Sequence, residues 1–126
     1  MNQKKYLSTL FNRNKDAYIV GSLGNISKDL PDGKRVIKVK GNMGGALGVG
    51  LGMSLGTKRK VIVVIGEGSY LMKLGSMATI LAHKPKNLEI IVLDNGKYAS
   101  TGGQENNFKH IRKYLNFPRI KYENIC

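Results

Sequence analysis

The sequence predicts an α/β fold: a mainly parallel sheet in a three-layer α/β/α arrangement. Three observations carry this. Residues 61–65 form a continuous apolar run and residues 88–93 an apolar run broken only by Glu89, as expected of strands buried on both faces. The stretches between strand patterns carry apolar residues at helical spacing. Strand and helix patterns alternate along the chain, which favours parallel strands joined by crossovers.

The elements follow in order. Residues 1–15 are polar and mixed, and read as an N-terminal helix or tail. The chain has 126 residues and is expected to form one domain over 1–126. Residues 17–20 form a short strand that ends in the loop Gly21-Ser22-Leu23-Gly24-Asn25. Asp32-Gly33 marks a turn. Residues 35–40 alternate apolar and basic side chains and suit a strand at a sheet edge. Between Gly41 and Gly56, seven glycines alternate with aliphatic residues. Glycine disfavours helix, yet a disordered linker would not carry so many aliphatics. A helix packed very closely against a neighbour or a ligand satisfies both. Residues 70–82 read as a helix that Pro85 terminates. Residues 96–104 form a polar loop. Phe108, Ile111 and Leu115 make one face of a last helix, and Pro118 precedes a terminal strand over 120–125.

Bulk properties narrow the function classes. A chain of this length buries roughly two-thirds of its unfolded surface, enough for a core. The single cysteine, Cys126, excludes a disulfide framework and argues against a Cys/His metal cluster. It suits a reducing, cytoplasmic setting. No apolar run approaches the roughly 18 residues of a membrane span, and the basic N-terminus lacks the apolar core of a signal peptide. Lysine and arginine total 21 against 8 acidic residues, a net charge of +13. These cations are spread over the length without interleaved aromatics, which disfavours nucleic acid. An acidic partner subunit or anionic ligands fit the charge better.

Two polar segments carry the chemistry. Gly66-Glu67-Gly68-Ser69 and Asp94-Asn95-Gly96-Lys97 each read as a loop at the carboxyl end of a buried strand. That edge is where open α/β sheets bind ligands. The glycines let the backbone approach an anion, and the following helix offers its amino end. Glu67 and Asn95 are oxygen donors of the kind hard cations take, usually beside phosphate oxygens. The Lys97 backbone carbonyl can complete such a site. The Walker pattern is absent, and the dinucleotide pattern fails because Leu71 stands where its third glycine belongs. On these residues alone a structural turn with a solvated Glu67 remains an equal reading.

From about residue 17 onward the chain resembles the diphosphate-binding domain of thiamine-diphosphate enzymes. The resemblance rests on Gly66-Glu67-Gly68, a spacer, and then Leu93-Asp94-Asn95. Leu74-Gly75-Ser76-Met77-Ala78-Thr79 and Ser100-Thr101-Gly102-Gly103-Gln104 are similar to sulfopyruvate decarboxylase β subunits and to phosphonopyruvate decarboxylases. The resemblance implies thiamine diphosphate and magnesium as cofactors. It places the metal on Glu67, Asn95 and the Lys97 carbonyl. It puts the diphosphate against Gly66, Gly68, Ser69 and the Gly24-Asn25 loop. Gly41-Asn42-Met43-Gly44 matches the loop under the middle of the cofactor, with Met43 as an apolar wedge or, in the plainer reading, a core residue. Tyr98 to Thr101 would cover the diphosphate. His83 and His110 carry no motif and are expected to be surface or structural.

The implied activity is decarboxylation of a small 2-oxo acid, with the cofactor as electron sink. The activating glutamate belongs to a pyrimidine-binding domain, expected on a separate partner chain in a hetero-oligomer. Two features depart from the family pattern. Glu67 stands where the family has Asp, which moves the carboxylate by about 1.5 Å. The domain is also expected to be C-terminally shortened. Both features support a second reading, a non-catalytic homologue that acts as a partner-binding subunit.

Overall fold

The structure is a computed structural model that describes residues 2–98 and 102–125. Helix α1 (Gln3–Arg13) leads into β1 (Tyr18–Gly21), α2 (Asn25–Asp29), β2 (Val36–Lys38) and α3 (Ala46–Gly56). Strand β3 (Val61–Gly66) runs directly into α4 (Glu67–Met72), followed by α5 (Ser76–His83) and β4 (Leu88–Asp94). Two 3₁₀ turns, Phe108–His110 and Arg112–Tyr114, precede β5 (Ile120–Asn124). The strands pair in the order β2-β1-β3-β4-β5, all parallel. The α/β class and the parallel sheet predicted by the sequence are both present.

The pleat divides the core. Val61, Val63 and Ile65 of β3 face α3, α5, Tyr70 and Phe108, whereas Ile62 and Val64 face Leu7 of α1 and Ile26 of α2. Val61 to Ile65 are all fully buried, which explains the unbroken apolar run. Burying each such side chain stabilises the fold by about 1.5–3 kcal/mol. The glycine-rich segment does form a helix in close contact, since a Cβ on Gly50 would run into the Val63 side chain. The strand expected over 35–40 is confined to Val36–Lys38, at the sheet edge.

Four local expectations are corrected. Asn25 opens a short helix, α2, where the sequence suggested only a loop. Gly66-Glu67-Gly68-Ser69 is not a free loop, because Glu67 begins α4 and is buried. The helix expected over 70–82 is two helices. Between them Lys73–Gly75 turns on tighter bonds, such as Lys73 N–H to the Tyr70 carbonyl. Gly75 there has little preference for helix. The last helix is instead two 3₁₀ turns. Asn107 enters them in the left-handed region (φ 60°), and the Asn106 side-chain oxygen takes the Phe108 N–H. The apolar spacing still works in this form: Phe108 and Leu115 are buried.

Among the described residues no helix is long and apolar enough to cross a membrane.

Candidate functional site

The chain leaves β1 towards β2 on one side, while β3 lies on the other. Ligand crevices of open sheets form at such a switch point, outside the carboxyl ends of the strands. A cleft of about 100 Å³ lies there. Of the residues singled out from the sequence, it is lined by Asn25, Met43, Gly66, Glu67, Gly68, Ser69, Asn95, Lys97 and Tyr98. Gly24 and Gly41 line an adjoining basin beside Lys28, Lys38 and Lys40. Asn42 lines neither and packs its side chain on Gly45, whose N–H bonds the Asn42 carbonyl. Of the segment expected to cover the diphosphate, Tyr98 is described, while 99–101 lie outside the described residues.

Backbone geometry brings these parts together. Gly44 (φ +87°) has no room for a side chain: a Cβ would sit 2.8 Å from the Ser69 carbonyl and against Lys73. This seats the Met43 loop directly on α4. A Cβ on Gly68 would lie 2.6 Å from the Tyr98 ring and 3.6 Å from the Met43 methyl. Gly68 is therefore the floor of a narrow space roofed by Tyr98 and Met43.

Glu67 sits at the centre. One carboxylate oxygen accepts the backbone N–H groups of Asn95 and, at 3.3 Å, Gly96. The other accepts the Asn106 side-chain amide at 3.1 Å. The alternative of a solvated turn residue does not hold, since Glu67 is 3 % exposed. Burial, with the neighbouring Asp94 carboxyl second, raises its pKa to about 7 against the pull of the Asn95 and Gly96 amides. Asp94 in turn is paired with Arg112 at 2.9 Å.

The two other expected metal donors are placed as follows. The Asn95 side-chain oxygen accepts the Lys97 N–H at 3.1 Å, a local Asx turn that leaves its second lone pair open. Lys97 faces Glu105 in an antiparallel bridge, flanked by the Asn106-to-Gly96 and Tyr98-to-Gln104 backbone bonds. Its carbonyl lies between those bonds and accepts neither. Among the described residues no group of three or more His, Cys, Asp or Glu is arranged to hold a metal. The groups expected to hold a metal are one carboxylate, a carboxamide oxygen and a peptide carbonyl. These are all hard oxygen ligands, suited to magnesium held jointly with phosphate.

Sequence reasoning missed Asn106, Asp94 and Arg112. A signal existed for the first: Asn106-Asn107 directly precedes the apolar Phe108, the pattern of a side-chain cap. His83 and His110 are exposed and away from the cleft.

Residues 24–126 match the family described as "Thiamine pyrophosphate enzyme, C-terminal TPP binding domain". The chain belongs to this family. It is 50 % identical over 93 residues to phosphonopyruvate decarboxylase of Streptomyces viridochromogenes, covering 71 % of this chain and 23 % of that protein. It is 42 % identical over 105 residues to sulfopyruvate decarboxylase subunit beta of Methanocaldococcus jannaschii, covering 81 % of this chain and 54 % of the relative. The chain thus spans about half or less of the length of these relatives. A 2-oxoglutarate:ferredoxin oxidoreductase from Magnetococcus marinus shares the fold, with a TM-score of 0.63 at 22 % identity over 82 % of this chain and 36 % of the other.

Proposed function

We propose that this chain is the diphosphate- and metal-binding part of a thiamine-diphosphate-dependent 2-oxo acid decarboxylase of the sulfopyruvate or phosphonopyruvate type. One observation carries the reading: Glu67, Asn95, Lys97, Gly66–Ser69, Asn25 and Met43 line a single cleft at the switch point of the sheet. They do so in a chain of the thiamine-diphosphate-binding family.

The roles follow from chemistry. Glu67, Asn95 and the Lys97 carbonyl hold the metal. Gly66, Gly68, Ser69 and the Gly24-Asn25 loop offer backbone and short polar groups to the diphosphate. The Gly41-Asn42-Met43 loop and Tyr98 shape the space for the rest of the cofactor, which supplies the electron sink for loss of carbon dioxide. This half keeps the anion and cation fixed and excludes water between Tyr98 and Met43. The beta-subunit names of the sulfopyruvate decarboxylase relatives support completion by a partner chain that brings a pyrimidine-binding domain in a hetero-oligomer.

The test is to co-produce the chain with the product of its neighbouring reading frame, titrate thiamine diphosphate with magnesium, and assay carbon dioxide release from sulfopyruvate and phosphonopyruvate. Saturable binding with turnover of either acid is expected. Absence of both sinks the proposal.

A second reading has one observation in its favour. The Glu67 carboxylate already receives three N–H donors, as befits a structural latch in a non-catalytic, partner-binding subunit. Glu67→Asp separates the two. If only the Asp variant binds metal and cofactor, the native site is a latch.

A further inference from the structure

The amino-terminal edge of the sheet, opposite the cleft, carries a separate cavity of about 410 Å³. We propose that this cavity binds a small amphiphilic anion, an apolar chain or ring bearing one carboxylate. The inference is independent of the cofactor reading.

The cavity's body is apolar. Ile80 and Leu81 come from α5, and Leu88 and Ile90 from the start of β4. Its rim is cationic: Lys84, Lys86 and Arg119. Among the described residues none of the three forms a salt bridge. The nearby acid Glu89, which shares a neighbouring cleft with Arg119, is paired with Lys60 at 2.9 Å. The rim charge is therefore uncompensated.

Two rim cations also stand on backbone that favours glycine. Lys84 has φ 48° and Arg119 φ 63°. Each is pinned there: the Lys84 N–H bonds the Ile80 carbonyl, and the Arg119 carbonyl accepts the Ile90 N–H. Long cationic side chains thus stand at two fixed, strained points on the rim of an apolar hollow. At Lys84 this is the left-handed C-cap that ends α5, so the fold itself sets where that cation stands. The volume falls within the range of small-molecule sites. An aliphatic lining gives nothing to a polyanion backbone and suits an apolar tail, while the rim suits its charged head.

The test exploits the strain. Replacing Lys84 and Arg119 by glycine removes both charges and relaxes both backbones, so the double variant Lys84→Gly/Arg119→Gly should melt no lower than the parent. The full chain is titrated with sodium octanoate, and in parallel with octanol, by methyl NMR. Saturable shifts confined to Ile80, Leu81, Leu88 and Ile90 are expected with octanoate. The double variant, folded by its melting curve, should bind octanoate about tenfold or more weakly. No saturable shifts at millimolar octanoate would overturn the site. Equal binding of octanol and octanoate, or unchanged binding by the double variant, would overturn its assignment to an anion.

Discussion

The Glu67 carboxylate and the Asn106 carboxamide lie 3.1 Å apart, joining the first turn of α4 to a loop residue 39 positions further on. Asn106 also donates its backbone N–H to the Gly96 carbonyl and accepts the Phe108 N–H on its side-chain oxygen. One buried residue therefore ties Glu67, Gly96 beside the Lys97–Glu105 bridge, and the first 3₁₀ turn together.

Asn106→Ala removes the donor from a buried carboxylate oxygen. We expect a loss of about 1–3 kcal/mol in urea denaturation. Amide exchange at Tyr98 and Gly103, whose N–H groups bond the Gln104 and Tyr98 carbonyls, should quicken. Asn106→Asp should cost more, because it adds another carboxylate beside Glu67 and Asp94. A wild-type midpoint for the alanine variant would show that the contact contributes nothing.

Glu67 gives the metal-free chain a distinctive pH response. Its folded pKa of about 7 lies above the ordinary 4.5, so between these values the folded state holds more protons than the unfolded one. The contribution of this group is fully present below the lower value and is lost as pH rises through the upper one. Melting temperature should fall over that window, and Glu67→Gln should flatten the fall. The magnesium binding proposed for Glu67 should weaken on acidification, since the metal would displace the proton. A Gln variant with the parent's pH profile would assign the response to other groups.

The glycines of α3 should behave oppositely according to the face they occupy. Nothing lies within 4 Å of a Cβ built on Gly48 or Gly52, whereas one on Gly50 meets the Val63 side chain of β3. Alanine at 48 or 52 should stabilise by about 0.5–1 kcal/mol through helix propensity. Alanine at 50 should destabilise by about 1–3 kcal/mol through overpacking. Thermal melts of the three single variants decide this. A stabilised Gly50→Ala would contradict the close helix–sheet contact.

Arg112 fastens the last strand. Its guanidinium reaches Asp94 at 2.9 Å, the Asn124 side chain, and the Tyr122 carbonyl at 3.2 Å. Arg112→Ala should cost about 1.5–3 kcal/mol, the range of charge-assisted hydrogen bonds. Arg112→Lys should recover little, because an ammonium has no planar fork. Exchange of the β5 amides reports the fraying, and protection equal to the parent's would place the anchor of β5 elsewhere.

By itself the sequence determined the layers and the address of the site. Val61 to Ile65 is apolar throughout, and residues 88–93 are apolar but for Glu89, because both sheet faces are covered, so their composition alone marks central strands. Glycines and oxygen donors beyond those strands mark the binding edge, since only the carboxyl ends of parallel strands bring such loops together. Local pattern failed where long-range contacts override it. The helix expected at 70–82 breaks at Lys73–Gly75, and Phe108–Tyr114 tightens into 3₁₀ turns around the Asn106 cap. The state of Glu67 was legible to no local rule. Whether a carboxylate is solvated or buried under three N–H donors depends on which strand ends meet it, and that placement belongs to the tertiary structure alone.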